Sequence, residues 1–125
     1  MPTNNSVVHK FSLPAKLVGI SNDPLKEVTA LGFKELTVDD ELLAAQKARN
    51  NPNRLTMELA KSMLVCLYRG GKKEDLSLAD DTAEIAWRAL HPKVRSLCVV
   101  AYGRLHHPED DDTQDFLGSQ ESSVG

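Results

Sequence analysis

Cysteine is scarce: Cys66 and Cys98 are the only two in 125 residues. Two cannot define a disulfide framework, and both stand in apolar surroundings at helical spacing, so reduced, buried thiols are expected. Long apolar runs are missing as well. Nothing approaches the roughly 20 residues that span a bilayer, so no membrane partner is expected. The opening MPTNNSVVHK lacks the charged head and the apolar segment of roughly 7–15 residues that make a secretory signal, which leaves an intracellular protein as the expectation. Basic charge is not concentrated either. The net charge is −3, and from Pro108 onward there are six acidic residues and no basic one, so residues 1–107 carry 15 basic and 12 acidic side chains. A body so mildly basic, with its charges interspersed, does not present the Lys/Arg face of a nucleic-acid binder.

Chemistry-bearing patterns are equally thin. GGKKED (residues 70–75) lacks the strand before it, the glycine spacing and the Lys-Ser/Thr ending of a phosphate loop, and is expected to be a helix-to-helix turn. The stretch RLHHPEDDD (104–112) offers metal donor types, but adjacent helical residues point about 100° apart, so His106 and His107 do not converge on one ion. They are expected to be solvent-exposed residues at a helix C-terminus, where partial positive charge suits the dipole. Neither cysteine has a histidine at a useful helical spacing. Asp39, Asp40 and Glu41 sit in a first helical turn, where capping accounts for them. No catalytic residue, cofactor or metal ligand is therefore assigned.

What is present is a pattern of elements. SVVHKFSL alternates Val7, His9, Phe11 and Leu13 against Val8, Lys10 and Ser12, and Pro14 closes it. LKEVTALGF (25–33) alternates again, with SNDP supplying turn residues between, so an antiparallel hairpin is predicted over about 6–34. Thr37 and Asp40 form a capping-box pattern ahead of a helix from about Val38 to Arg49. Asn51 caps and Pro52 opens a second helix, PNRLTMELAKSMLVCLYR, with Leu55, Leu59, Met63, Cys66 and Leu67 on one stripe, ending at Gly70–Gly71. Asp80 or Asp81 caps a short third helix with Ile85, Ala86, Ala89 and Leu90 inward. Pro92 opens a fourth, with Val94, Leu97, Cys98, Ala101, Tyr102 and Leu105 at i, i+3, i+4, i+7, i+8 and i+11. The fold class read from this is α+β, mostly α: an N-terminal β-hairpin and about four helices in one small domain (1–107, helices over about 38–107), followed by a flexible acidic tail (108–125).

With no chemistry to assign, binding is the function class that remains. Trp87, off the main stripe and beside Arg88, is a candidate partner anchor, with packing of the small core as the plainer alternative. Tyr102 joins these, and Phe116–Leu117 in the acidic tail reads as a short docking motif or as a tail lying on its own domain. Leu55–Leu67 and Val94–Leu105 are expected to form the core, leaving one edge free for a partner helix.

The succession of KEVTALGFKELT (26–37), VDDELLAA (38–45), RLTMELAKSMLV (54–65) and WRALHPKVRSLCVVAYGRL (87–105) resembles the small tail assembly chaperones of tailed bacteriophages, over roughly residues 7–118. The resemblance implies a non-enzymatic protein of the host cytoplasm. Such a protein would keep the tape-measure protein soluble and deliver tail-tube subunits, binding proteins and no nucleic acid, with self-association open to it. It carries no catalytic or ligand residue across. The alternative is a structural virion component, such as a head–tail adaptor or a capsid or tail accessory subunit.

Overall fold

The alternating run ahead of Pro14 forms strand β1 over His9–Ser12, and the second extended run contributes β2 over Ala30–Phe33. The structure, a computed structural model, describes residues 7–77 and 81–119. Ser6 at the expected start of the hairpin, Asp80 as an alternative cap and residues 120–125 of the tail lie outside the described residues. β1 and β2 pair antiparallel, with Phe11 opposite Leu31 and Ser12 opposite Ala30. β2 is shorter than its alternation predicts. Leu25 and Val28 lie in turns instead, where Leu25 N–H donates to Asn22 O at 2.8 Å and Val28 N–H to Leu25 O at 3.1 Å. Both side chains are still buried, because a turn can aim an apolar group inward without joining the ladder.

Helix α1 spans Val38–Ala48. Its capping box is present: Thr37 Oγ1 accepts from Asp40 N–H at 3.2 Å and Asp40 Oδ2 accepts from Thr37 N–H at 2.9 Å. Burial pushes the Asp40 carboxyl up, but the hydrogen bonds from Thr37 and the nearby Lys34 charge outweigh it, and the group sits below its ordinary value. α1 stops where Arg49 and Asn50 turn left-handed. Asn51 Oδ1 then accepts from the Asn53 and Arg54 N–H groups, opening α2 over Pro52–Met63.

The second predicted helix is corrected at Met63. Residues Leu64–Arg69 are strand β3, reached without an intervening loop, and Lys72–Asp75 are strand β4. LVCLYR is apolar or aromatic at five of six positions, so its helical stripe and its strand faces are indistinguishable by pattern. Backbone pairing decides: β3 lies between β2 and β4 in a four-stranded antiparallel sheet ordered β1-β2-β3-β4. The predicted hairpin is thus half of a larger sheet. Gly70–Gly71 is correspondingly the β3–β4 turn rather than a helix-to-helix turn, and Gly70 (φ 63°) takes the left-handed conformation that the turn requires.

Helix α3 spans Thr82–Ala89 and α4 spans Pro92–His106. On α3 the inward set is Ala83, Ala86, Trp87 and the following Leu90, while Ile85 is 58% exposed. The inward face lies about a quarter turn from the predicted stripe, keeping Ala86 and Leu90 and taking Ala83 and Trp87 in place of Ile85 and Ala89, because eight residues give too few repeats to fix a face. The β1–β2 connection is tied to this region by Asn22 N–H donating to Ala89 O at 3.0 Å and His91 N–H donating to the buried Ser21 Oγ at 3.1 Å. Leu31, Phe33 and Leu67 project from one face of the sheet into a core completed by Met63 from α2, Trp87 from α3 and Val94, Cys98 and Ala101 from α4. Phe11 meets Phe33 edge-on, with ring centroids 5.6 Å apart.

Within the acidic tail, Asp110–Gly118 form a further helix, α5, that the sequence reading does not include. Glu109 and Asp112 close a capping box there, and the three aspartates of the first turn suit the helix dipole. Every residue from His107 to Ser119 is exposed.

The sheet face opposite the helices is tightly packed at Gly32. Gly32 stands opposite Lys10 and Cys66, and a Cβ there would lie 2.2 Å from Cys66 Sγ and 2.9 Å from Val8 Cγ1. Cys66 is fully buried and paired in the ladder, so it cannot withdraw without disturbing it. Gly32→Ala is expected to destabilise the fold by about 1–3 kcal/mol through overpacking; an unchanged denaturant midpoint would show that this face has slack.

Candidate protein-binding groove

Proline at the first position fixes the entry of α4, and His91 Nδ1 accepts from Lys93 N–H at 3.1 Å to cap it. Val94, Cys98 and Ala101 recur at i, i+4 and i+7 and are buried, so α4 is docked on that stripe. The neighbouring face is open: Leu97 is 38% and Val100 66% exposed. Between this face and the segment Phe11–Pro14 lies a groove of about 220 Å³. Its floor is Leu31, Phe33, Cys98 and Ala101, its far wall Phe11 and Leu13, and Arg104 stands at one end. That volume is below the roughly 300–1,000 Å³ of small-molecule clefts and suits one or two apolar side chains of a partner. The Cys98 thiol in the floor is pushed up to about 12 by burial, so at neutral pH it is a packing group and not a nucleophile.

Sequence reasoning missed this groove. The stripe read from the sequence puts Leu97 inward and does not include Val100. The only signal was Val99–Val100, two β-branched residues beside a stripe that already had enough apolar positions.

The five residues singled out for partner binding do not make one surface. Trp87 is 6% exposed and belongs to the core, the plainer of its two readings. Arg88 projects outward and pairs with Glu84 one turn earlier, Nε to Oε2 at 2.9 Å. Tyr102 is half-buried, stacked on the His106 ring with centroids 4.4 Å apart, and its hydroxyl donates to Glu41 Oε2 at 3.4 Å, linking α4 to α1. Burial and the Glu41 charge hold the phenol above its ordinary value. Phe116 and Leu117 are 75% and 56% exposed on α5.

The histidine pair divides by role. His107 is exposed, as expected, but His106 is not a free helix end. Its Nε2 accepts from Leu36 N–H at 2.8 Å, and Nδ1 lies 2.9 Å from Tyr102 O. An N–H donor facing Nε2 and a carbonyl facing Nδ1 together specify the neutral ring with its proton on Nδ1. His106 therefore supplies the acceptor that the β2–α1 connection lacks.

Among the described residues, one charged side chain is interior. Lys61, 7% exposed, places Nζ 2.6 Å from Glu84 Oε1 and 3.0 Å from Glu58 Oε1, joining α2 to α3. Burial pulls its ammonium down, but the hydrogen bonds and negative charges of Glu84 and Glu58 prevail and leave it above its ordinary value. Glu84 is held below its ordinary value by Lys61 first and Arg88 second, against the opposing effect of burial.

Among the described residues, no three His, Cys, Asp or Glu side chains cluster as a metal site, and no helix is long and apolar enough to cross a membrane. The chain matches no family model, no curated protein and no solved structure.

Two outcomes follow from these contacts. His106→Ala leaves the Leu36 N–H without its acceptor and is expected to cost about 1–3 kcal/mol, whereas His107→Ala should stay within about 0.5 kcal/mol; equal effects in chemical denaturation would refute the division of roles. Because the folded-state value of Glu84 is depressed, its contribution is present above the ordinary value of 4.5 and lost as pH falls through the lower folded one. Glu84→Gln should therefore melt below the wild type at pH 7 and approach it in acid. A melting-temperature gap that stays constant down to about pH 3 would contradict this.

Proposed function

We propose that the protein is a non-enzymatic binding module that holds the apolar face of a client helix in the β1–α4 groove, acting as a chaperone of the phage tail-assembly kind. The observation that carries this reading is the open shoulder of α4. Leu97, Val100 and Arg104 stand at i, i+3 and i+7, a ridge against which a second helix can lie, with the apolar floor beside it ready to take one large side chain. Burying Leu97 and Val100 under a client would contribute at most about 1.5–3 kcal/mol each. That magnitude suits reversible holding and release of a client.

The resemblance over roughly residues 7–118 gives the client its identity in this reading: the long amphipathic helices of a tape-measure protein, with tail-tube subunits as a second cargo. The host cytoplasm is the setting, before the virion is complete.

Co-expression with a tape-measure helical segment should raise the segment's solubility and allow the two to co-purify. Val100→Glu places a charge at the mouth of the groove on a residue already 66% exposed, so it should abolish co-purification while leaving the circular dichroism spectrum intact. Undiminished capture by this variant would remove the groove from the proposal. Recovery of the chain from purified particles would replace the chaperone with a structural virion subunit.

A further inference from the structure

A second surface, away from the groove, is defined by charge. A hollow of about 620 Å³ opens between α1, α2 and α3. Lys47, Arg49, Arg54, Lys61 and Arg88 line it against only two carboxylates, Glu58 and Glu84. Both carboxylates are already engaged by Lys61, and Glu84 by Arg88 as well. Lys47, Arg49 and Arg54 make no ion pair among the described residues. The excess positive charge of the body is thus gathered at one place that the sequence, with its cations spread over three helices, does not reveal. Leu43, 47% exposed, forms an apolar edge to this hollow, with Leu42, 58% exposed, next to it.

The complementary surface is α5. It bears Asp110, Asp111, Asp112 and Asp115 with no basic residue, and its Phe116 and Leu117 have no cover. A nine-residue helix with no buried residue is shorter than the roughly 12–15 residues at which isolated helices become marginal in water, so a docked partner would supply what its own capping cannot. We propose that α5 of one copy docks in the cationic hollow of a second copy and reciprocally, its aspartates facing Lys47, Arg49 and Arg54 and Phe116–Leu117 lying on Leu42 and Leu43.

Connectivity favours a second copy over the same chain. His106 is fixed to Leu36, so α5 departs beside the N-terminal end of α1, where Asp39, Asp40 and Glu41 stand. The cations lie at the other end of α1, about 15 Å along its axis. To reach them, a chain's own aspartates would have to pass three carboxylates of like charge. Pro108 forces His107 into an extended conformation (ψ 138°), which carries α5 away from the body. Two copies exchanging identical helices make a closed, two-fold contact. This contact is separate from the groove and holds whether or not the groove takes a client.

Sedimentation velocity on the full chain tests the proposal. The wild type should be dimeric at low ionic strength and shift to monomer as salt rises from about 0.1 M to 1 M, where the Debye length shortens from roughly 10 Å to 3 Å. Lys47→Glu with Arg54→Glu, or Asp111→Lys with Asp115→Lys, should each weaken the dimer roughly tenfold or more. An equimolar mixture of the two double variants should restore it, because each reversed hollow then meets a reversed helix. Phe116→Ser with Leu117→Ser should also dissociate it, with the helical spectrum of the body retained. A wild type that remains monomeric at low salt, a dimer indifferent to either reversal, or reversed variants that fail to rescue each other would overturn the proposal.

Discussion

The pairing of β2 with β3 is the interaction on which the rest of the molecule depends. It sets Leu31 opposite Leu67 and, across a register shift, Phe33 opposite Leu64. The side chains that meet α2 and α4 in the core are therefore placed by a backbone ladder and not by helix packing alone. Thr29 N–H donating to Tyr68 O at 2.8 Å and Lys34 N–H donating to Met63 O at 2.9 Å extend the contact beyond both ends of β2. β1 adds to one side of this pair and β4 to the other. The groove lies between Phe11–Pro14, at and just beyond the end of β1, and the open face of α4. The hollow exists because α2, running straight into β3, is held where α1 and α3 can flank it.

Much of this was legible in the sequence where a single local rule acts. The Thr37–Asp40 box, the Asn51–Pro52 start and the Pro92 start are short-range devices whose residues meet within a few positions of one another, and each is found where it is read, as is the β1–β2 pairing, which strand alternation marks although Phe11 and Leu31 are far apart in the chain. The α+β class, mostly helical, followed from them. Legibility failed where local pattern permits two answers. LVCLYR satisfies both a helical stripe and a buried strand, and the choice between them is made by β2, more than 30 positions earlier. His106 and His107 look alike in sequence, yet one accepts a hydrogen bond from a residue 70 positions away. The same limit applies to both proposed binding surfaces. Each is a sum of exposed side chains from separate elements, and no spacing rule joins Phe11 to Val100 or Lys47 to Arg88.

Charge divides the molecule more sharply than its total suggests. Inside, Lys61 is tolerated because two carboxylates converge on it, an arrangement whose value lies in fixing α2 against α3 more than in net stabilisation. Outside, cations collect around that same pair and carboxylates collect on α5. The apolar surfaces follow a parallel division, with Leu97 and Val100 beside one cavity and Leu42 and Leu43 beside the other. The two proposed contacts, with a client and with a second copy, would thus draw on separate charges and separate apolar side chains.

The direct passage from Met63 at the end of α2 to Leu64 at the start of β3 also governs how this chain can vary in length. One added residue at that junction would either break the last helical turn or slide β3 by one position, exchanging Leu67, which faces the helices, with Cys66 and Tyr68, which face the other side of the sheet. The Gly70–Gly71 turn carries no such constraint, being exposed and flanked by the fully exposed strand β4. An inserted peptide is expected to be tolerated there, while the helix-to-strand junction fixes the reading of every side chain that follows it.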